Sequence, residues 1–450
     1  MPLFGTSGIR GVVDQDLTPG LCHEVAQALA TSLTVRSRVC LATDTRVSRN
    51  VLKEAIIAGL LSCGVDVTDL GILPTPVLAL LTREWEFDAG IMVTASHNPP
   101  EFNGIKLFNR DSIGYSPEQE WQIERLYSQK QFREAPSGML QQGRGMREGY
   151  LDFIRQKLPV KSLNRGLKVV IDAGNGAASG FVTSLFTDLD LQVLPLNDVP
   201  DGLFPGRSPE PRGDTLQTTV DFLREKEADL ALCFDGDADR VVFCDREGFL
   251  GFNEPTAFIS RLVAERSPKS RIASTVESGR LLELAVQDLG VEVVRGKVGD
   301  VHLAHLTREA GASIGTEQVG VYIIPEAGYY PDSIFAALVL LSRVGKAGEI
   351  RELFAGLPRL FFDKSKVPCP NPVKESVMQE VRGRVESFES KGVNDLDGIR
   401  LEFDDAWLLI RASGTEPAIR VIAESESPSR TEELLARGTV TVQAIVDKRR

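Results

Sequence analysis

No stretch of the 450-residue chain approaches the roughly 20 consecutive apolar residues that a membrane-spanning helix needs. The opening MPLFGTSGIRG lacks the basic head and apolar run of a secretory signal, so a cytoplasmic location is expected. Positive charge is also in short supply. The 51 Lys and Arg against 63 Asp and Glu leave a formal net charge of -12, which argues against nucleic acid or a membrane as a partner, because both reward basic surfaces. Small anions stay open, since a phosphate needs only a local cluster of donors. The six cysteines (Cys22, Cys40, Cys63, Cys233, Cys244, Cys369) are scattered, lack metal-ligand spacing and lie mostly in apolar segments, so reduced, buried thiols are expected. There is no low-complexity tract.

What is present reads as an α/β enzyme. Hydrophobic residues at 42% and charged residues at 25% are near globular averages, and the length predicts two to four domains. Short β-rich runs alternate with helical patterns: VCLAT near 39, AGIMVT at 89–94, KVVID at 168–172, DLALCF at 229–234 and RIASTV at 271–276. That order predicts parallel or mixed sheets with crossover helices. The stretches CGVDVTDLG (63–71), DLDLQVLPL (188–196) and LGVEVVRGK (289–297) each follow a helix-like segment and read as strands, a faint echo of one α/β unit used three times. The end differs: IRLEF (399–403), AWLLIR (406–411) and AIRVIA (418–423) are close-set strands before a helical tail from about Pro428, which predicts an antiparallel α+β module. Breaks around 137–147, 248–254 and the Pro-rich 366–374 divide the chain into 1–147, 148–250, 251–366 and 367–450.

Five segments carry chemistry. Thr94-Ala95-Ser96-His97-Asn98-Pro99-Pro100 follows an apolar strand and presents Ser96 as an exposed nucleophile or phosphate carrier, although the same residues also make an ordinary hydrogen-bonded turn. Lys106, in the polar, Gly-containing segment beyond, is an acid/base or phosphate-ligand candidate, or a solvated surface lysine. Asp235-Gly236-Asp237-Ala238-Asp239-Arg240 follows DLALCF. Its three carboxylates repel by about 4 kcal/mol per close pair at an effective dielectric of 20 unless a cation lies among them. Magnesium suits them, an EF-hand calcium loop lacks its distal Glu here, and an acidic surface turn is the plain alternative. Arg411-Ala412-Ser413-Gly414-Thr415-Glu416-Pro417-Ala418-Ile419-Arg420 sets two arginines around a Ser-Gly-Thr turn, which serves equally as a phosphate cradle or a polar hairpin loop. Gly315-Thr316-Glu317-Gln318-Val319-Gly320 reads as a glycine-bracketed loop after the short strand ASI, with Glu317 either hydrogen-bonding sugar hydroxyls or merely solvated. Gly5-Thr6-Ser7-Gly8-Ile9-Arg10-Gly11 offers Arg10 to an anion and lacks the Gly-Lys-Ser/Thr ending of a nucleotide phosphate loop. His302 and His305, at helical spacing without a third ligand, read as structural.

Taken together and in order, these segments resemble the α-D-phosphohexomutase superfamily: FGTSGIRG (4–11), TASHNPPEFNGIK (94–106), DGDADR (235–240), the 315–320 segment and RASGTEPAIR (411–420), with PDGLFPGRSPEP (200–211) also similar. The resemblance implies three related α/β units and a smaller C-terminal domain around a deep cleft. It also implies interconversion of hexose 6-phosphate and hexose 1-phosphate through a phosphoserine and a hexose 1,6-bisphosphate that also serves as activator. By the same resemblance Ser96 carries the phosphoryl group and, with Asp235, Asp237 and Asp239, holds one Mg2+. Arg10, His97, Lys106 and Arg240 line the reaction centre, with Lys106 the acid/base. Lys297, Asp300, Glu317 and Val319 face the sugar, and Arg411, Ser413, Gly414, Thr415 and Arg420 grip the distal phosphate. Hexose phosphates are then the partners of a monomer or homodimer.

The sugar segment departs from the family form Gly-Glu-x-Ser-Gly, because Val319 stands where serine is common and Val321 where histidine often follows. FGTSGIRG, the length and Val298-Gly299-Asp300 look more like phosphoglucosamine mutases and the archaeal-type enzymes near them, so glucosamine phosphate is the expected substrate and a mannose or glucose phosphate enzyme of broad specificity the alternative. Two other classes compete: a phosphatase with Asp235 as an aspartyl nucleophile, and a non-catalytic sugar-phosphate sensor.

Overall fold

A computed structural model describes residues 3–5, 7–267, 270–345, 351–352, 355–414 and 416–449. The first sheet holds β1 (Ile9–Val12), β2 (Arg38–Thr43), β3 (Asp66–Ile72), β4 (Ala89–Val93), β5 (Phe102–Asn109) and β6 (Leu140–Gln142), in the order β1-β5-β4-β2-β3-β6. The second holds β7 (Lys168–Asp172), β8 (Gln192–Leu196), β9 (Leu230–Phe234), β10 (Val241–Asp245) and β11 (Gly248–Phe249), in the order β11-β10-β9-β7-β8. In the third, β12 (Arg271–Thr275), β13 (Glu292–Gly296), β14 (Ala312–Glu317) and β15 (Val321–Ile323) run β13-β12-β14-β15.

One plan underlies all three. Leaving β1 aside, each has a first strand (β2, β7, β12) flanked by two parallel partners, and a fourth strand returns antiparallel on the outside of the third: β5 on β4, β10 on β9, β15 on β14. The echo in the sequence falls on the second strand of each unit, β3, β8 and β13. Strands buried on both faces, such as Leu230–Phe234, read as continuous apolar runs because helices cover the parallel sheets. One apolar core runs through the three units, joining Val77, Leu81 and Met92 to Ile171 and Phe234 and on to Ile314 and Phe335. All six cysteines are buried, and Cys22, Cys40, Cys63, Cys233 and Cys244 are free thiols.

The C-terminal sheet is wholly antiparallel: β16 (Phe361–Pro368), β17 (Gly392–Asn394), β18 (Ile399–Glu402), β19 (Ala406–Ala412) and β20 (Ala418–Ser425), in the order β16-β20-β19-β18-β17. A helix, Pro428–Asp447, packs on it. The expected boundary at 366/367 falls inside β16, which pairs with β20 along its whole length. This module has its own core and meets the third unit through a small cluster of Val276, Trp407, Leu409 and Ile422. The buried Arg400 guanidinium lies over the Trp407 ring at 3.9 Å and donates to the carbonyls of Val276 and Ser278 at 2.7 and 2.8 Å. Among the described residues no helix is long and apolar enough to cross a membrane.

Candidate active site

Ser96 follows β4 in a tight turn and takes left-handed backbone itself, with φ at +49°. Such a conformation costs a non-glycine residue roughly 1 kcal/mol and persists where the surroundings over-determine it. Arg46, fully buried, supplies that constraint. Its Nη1 donates to the carbonyls of Pro99 and Phe102 at 2.5 and 2.8 Å, its Nη2 to those of Ser96 and Asn98 at 2.9 and 2.6 Å, and its Nε to Asp44 Oδ2 at 3.0 Å. Thr94 Oγ1 donates to the same Asp44 oxygen at 2.6 Å. The turn is thereby wired to the end of β2. Sequence reasoning missed Arg46; an acid and an arginine two residues apart, immediately after a buried strand, was the available signal.

The second unit presses its acidic loop onto this turn. Gly236 is required there, since a Cβ would lie 2.4 Å from the Ser96 carbonyl oxygen. The Ser96 hydroxyl donates to Asp235 Oδ2 at 2.7 Å and lies 3.3 Å from His97 Nδ1. The expectation of an exposed serine is therefore corrected: Ser96 is only 1% exposed, because the acidic loop covers it. The ligand oxygens of Asp235, Asp237 and Asp239 lie within 4.8 Å of one another, all three residues are buried, and Oδ1 of Asp237 and of Asp239 have no hydrogen-bond partner among the described residues. Converging, undonated carboxylate oxygens fit a hard divalent cation, so the triad could hold a metal.

Lys106 is not in a loop but on β5, opposite Met92 of β4. Gly104 fits there because a Cβ would stand 2.4 and 2.6 Å from the carbonyls of Ile9 and Thr94. Lys106 Nζ bridges Asp237 Oδ2 at 2.9 Å and Asp239 Oδ2 at 2.5 Å. Burial alone would depress this ammonium, yet the two carboxylates overcome it and hold the charge above the ordinary lysine range. Asp237, buried too, is held below the carboxylate range by Lys106 and Thr75, whereas Asp235 is pushed up by burial and by Asp239 and Asp237. Arg240 and burial, with Arg10, keep His97 neutral. Arg10 Nη1 donates to Asn98 Oδ1 at 3.0 Å, and Arg240 Nε stands 3.9 Å from Asp239 Oδ1.

The third unit is tied to the same centre. Val241 N–H donates to Gly320 O at 3.0 Å, and Ser333 Oγ donates to the Ala238 carbonyl at 2.6 Å. Glu317 lies within β14 rather than in a loop: pairing with β12 and β15 continues through Thr316 and Glu317. Its Oε1 accepts from Gly299 N–H at 2.9 Å, and burial, reinforced by Asp300 and Glu277, pushes the carboxyl up to about 7. Asp300 Oδ1 accepts from Ser7 Oγ at 2.5 Å, linking the N-terminal segment to the third unit, and Lys297 is exposed. Val319 packs against the apolar cluster of Ile113, Leu303 and Val321.

The C-terminal loop contributes differently from expectation. Arg411 is engaged with Glu277, at 2.8 Å from Nε and 2.7 Å from Nη2, and stands 3.4 Å from Asp397. Arg420 is half-buried, 3.5 Å from Glu416. Ser413 Oγ accepts from Glu416 N–H at 3.2 Å, Gly414 is exposed, and Thr415 lies outside the described residues. Lys374, which sequence reasoning missed, holds the loop by donating to the carbonyls of Ser413 (2.7 Å) and Glu416. The structure thus gathers Ser96, the three aspartates, Lys106, His97, Arg10 and Arg240 into one centre, with Asp300 and Glu317 beside it; Arg411 reaches that region through Glu277, and Arg420 faces Glu416 of its own loop. His305 pairs with Arg308 at 3.3 Å, and neither His302 nor His305 enters a metal cluster among the described residues.

Three repeated α/β units converging on a serine, a lysine and an acidic triad define an enzyme of the phosphohexomutase class, an isomerase. The chain matches the phosphoglucomutase/phosphomannomutase α/β/α domains I (1–134), II (148–248) and III (254–361) and the C-terminal domain (366–437). It belongs to that family. A protein of Pyrococcus abyssi named a probable phosphoglucosamine mutase is 38% identical over 450 residues, 99% of this chain and 98% of the relative. One of the same name from Methanopyrus kandleri is 38% identical over 438 residues, 96% and 95% of the two chains. A phosphoglucomutase/phosphomannomutase family protein of Burkholderia thailandensis has a crystal structure that superposes with a TM-score of 0.87 at 27% identity, covering 98% of this chain and 97% of that one.

Proposed function

We propose that this enzyme interconverts glucosamine 6-phosphate and glucosamine 1-phosphate, with Ser96 as the phosphoryl carrier, magnesium as its cation and hexose 1,6-bisphosphate as both intermediate and activator. The observation that carries the reading is the 2.7 Å hydrogen bond from Ser96 Oγ to Asp235 Oδ2 inside the acidic triad. Phosphoryl transfer needs positioning and neutralisation of charge more than covalent chemistry, and here a nucleophile, an acidic triad and three cationic side chains share one centre. A bound divalent cation would be held by the Ser96, Asp235, Asp237 and Asp239 oxygens and would offset charge on the transferring phosphoryl group.

In the first half-reaction the phosphoserine O–P bond breaks, Ser96 Oγ leaving as the alkoxide that later attacks in the return step, and a bond forms from phosphorus to the free sugar hydroxyl, whose proton passes to Lys106 Nζ. After the bisphosphate turns over in the cleft, the other phosphate returns to Ser96 Oγ, and the departing sugar oxygen takes the Lys106 proton. The charged Lys106 beside an unmodified Ser96 is the state from which that return step starts. Arg10, His97 and Arg240 line the reacting phosphate. Glu317, with Asp300, Lys297 and the Val319 turn, meets the sugar, and Arg411, Ser413, Gly414, Thr415 and Arg420 take the other phosphate once Arg411 leaves Glu277. Four domains are part of the same reading, 1–147, 148–250, 251–366 and 367–450. So are a cytoplasmic location and a monomeric or homodimeric state.

The relatives named phosphoglucosamine mutase support the choice of sugar, with broad mannose and glucose phosphate specificity the alternative. Comparing kcat/KM for glucosamine, mannose and glucose 1-phosphates tests it. The highest value is expected for glucosamine; a value well below the other two defeats this choice.

A further inference from the structure

The three carboxylates are constrained one oxygen at a time. Asp235 Oδ1 accepts from the Arg240 backbone N–H at 3.1 Å, which leaves Oδ2 to face Ser96. Asp239 Oδ2 is taken by Lys106, which leaves Oδ1 undonated among the described residues. Asp237 Oδ2 is held twice, by Lys106 at 2.9 Å and by the Thr75 hydroxyl at 2.6 Å, and again its Oδ1 is left undonated. Each acid therefore offers a cation a single oxygen.

We propose that Thr75 is a positioning residue that sets the choice of cation: by occupying Oδ2 of Asp237 it forces that carboxylate to bind through one oxygen and so favours small octahedral ions over calcium. The inference rests on the reading of the triad as the cation site. Mg2+ demands near-ideal octahedral geometry at about 2.0–2.1 Å and suits monodentate carboxylates, whereas Ca2+ takes 6–8 oxygens at about 2.3–2.6 Å and draws on bidentate ones. Thr75 is built for the task. It is 1% exposed, so no water substitutes for its hydroxyl, and its branched side chain has few rotamers. It lies between Pro74 and Pro76 at the first turn of the helix Thr75–Glu84, where its own N–H donates to the Asp237 carbonyl at 2.8 Å. Backbone and hydroxyl thus grip one aspartate from a different unit, and the residue before a proline has little freedom to shift. Lys106 cannot do this alone, because it is shared with Asp239.

Calorimetric titration of the sugar-free protein with Mg2+, Mn2+ and Ca2+ tests the proposal without recourse to turnover. Loss of such a supporting partner typically costs 10- to 100-fold in metal affinity. For Thr75→Val, Mg2+ and Mn2+ affinity are expected to fall by roughly tenfold while Ca2+ affinity holds or rises, and Thr75→Ser to keep the wild-type ratio. Equal weakening of all three ions in Thr75→Val, or failure of Thr75→Ser to keep the ratio, overturns the role of Thr75. Absence of divalent binding to the wild-type protein instead sinks the triad reading itself. Should the valine variant not fold, a crystal structure of the Mn2+-loaded wild type decides: Asp237 bound through Oδ1 alone, with Thr75 still on Oδ2, is expected, and a bidentate Asp237 overturns the proposal.

Discussion

The Ser96 hydroxyl donates to Asp235 Oδ2 across 2.7 Å, although 139 residues separate the two in the chain. Two repeated units each deliver a loop from the end of a buried strand, and the mechanism exists only where those loops touch.

Replacing Ser96 with alanine removes the proposed carrier and one donor to a buried carboxylate. Turnover is expected to fall by roughly 10^4-fold or more, while stability drops by no more than about 2 kcal/mol. Steady-state assay beside thermal unfolding checks both; retention of more than a few per cent of activity would contradict the carrier role.

Arg46 touches no acidic ligand, yet it holds four carbonyls of the serine turn and balances Asp44. Arg46→Met leaves a buried carboxylate unpaired, and a loss of about 3–5 kcal/mol in unfolding free energy is expected. Arg46→Lys is not expected to rescue it, because an ammonium lacks the planar fork. Chemical denaturation of both variants is the check.

In the proposed function Arg411 and Arg420 differ in what they give up to bind phosphate. Arg420→Ala is expected to lower kcat/KM by about 10- to 100-fold, the cost of a charge-assisted hydrogen bond. Glu277→Gln loosens the hold on Arg411, so KM for the sugar phosphate is expected to fall with kcat little changed. Unchanged kinetics in both variants would remove this loop from the binding site.

Glu317 makes stability depend on pH. Its carboxyl lies up at about 7 in the folded chain, above its unfolded value, so the folded state keeps a proton that the unfolded state has lost between about pH 4.5 and 7. Stability is therefore fully present below that window and is lost as pH rises through it. Glu317→Gln keeps the acceptor for Gly299 and removes the titration. It is expected to unfold like wild type at pH 5 and to gain on the order of 2 kcal/mol on it by pH 8. Parallel pH profiles would refute the argument.

Much of this was legible in the sequence because strand and motif coincide. DLALCF and KVVID are uninterrupted apolar runs, and the acidic and serine motifs sit at strand ends where chemistry is usually placed. The antiparallel return strands were harder to see. FNGIKLFN has a glycine and polar residues because β5 must approach two backbones closely and present Lys106 inward, and that composition mimics a loop. Glu317 reads as a loop residue for the same reason, its strand being interrupted by Gly315 and Thr316. Arg46 carries only the faint signal of its spacing from Asp44, and Thr75 carries none, since a buried arginine or threonine differs from a surface one only by what folds over it. The exposure expected of Ser96 failed likewise, because the covering loop comes from another unit.

The carrier claim is tested most directly by mass spectrometry of the protein after brief incubation with hexose 1,6-bisphosphate and magnesium. One acid-stable phosphate on the peptide bearing Ser96 is the predicted result. An unmodified Ser96 peptide in active enzyme, or an acid-labile phosphate on Asp235, would contradict the account.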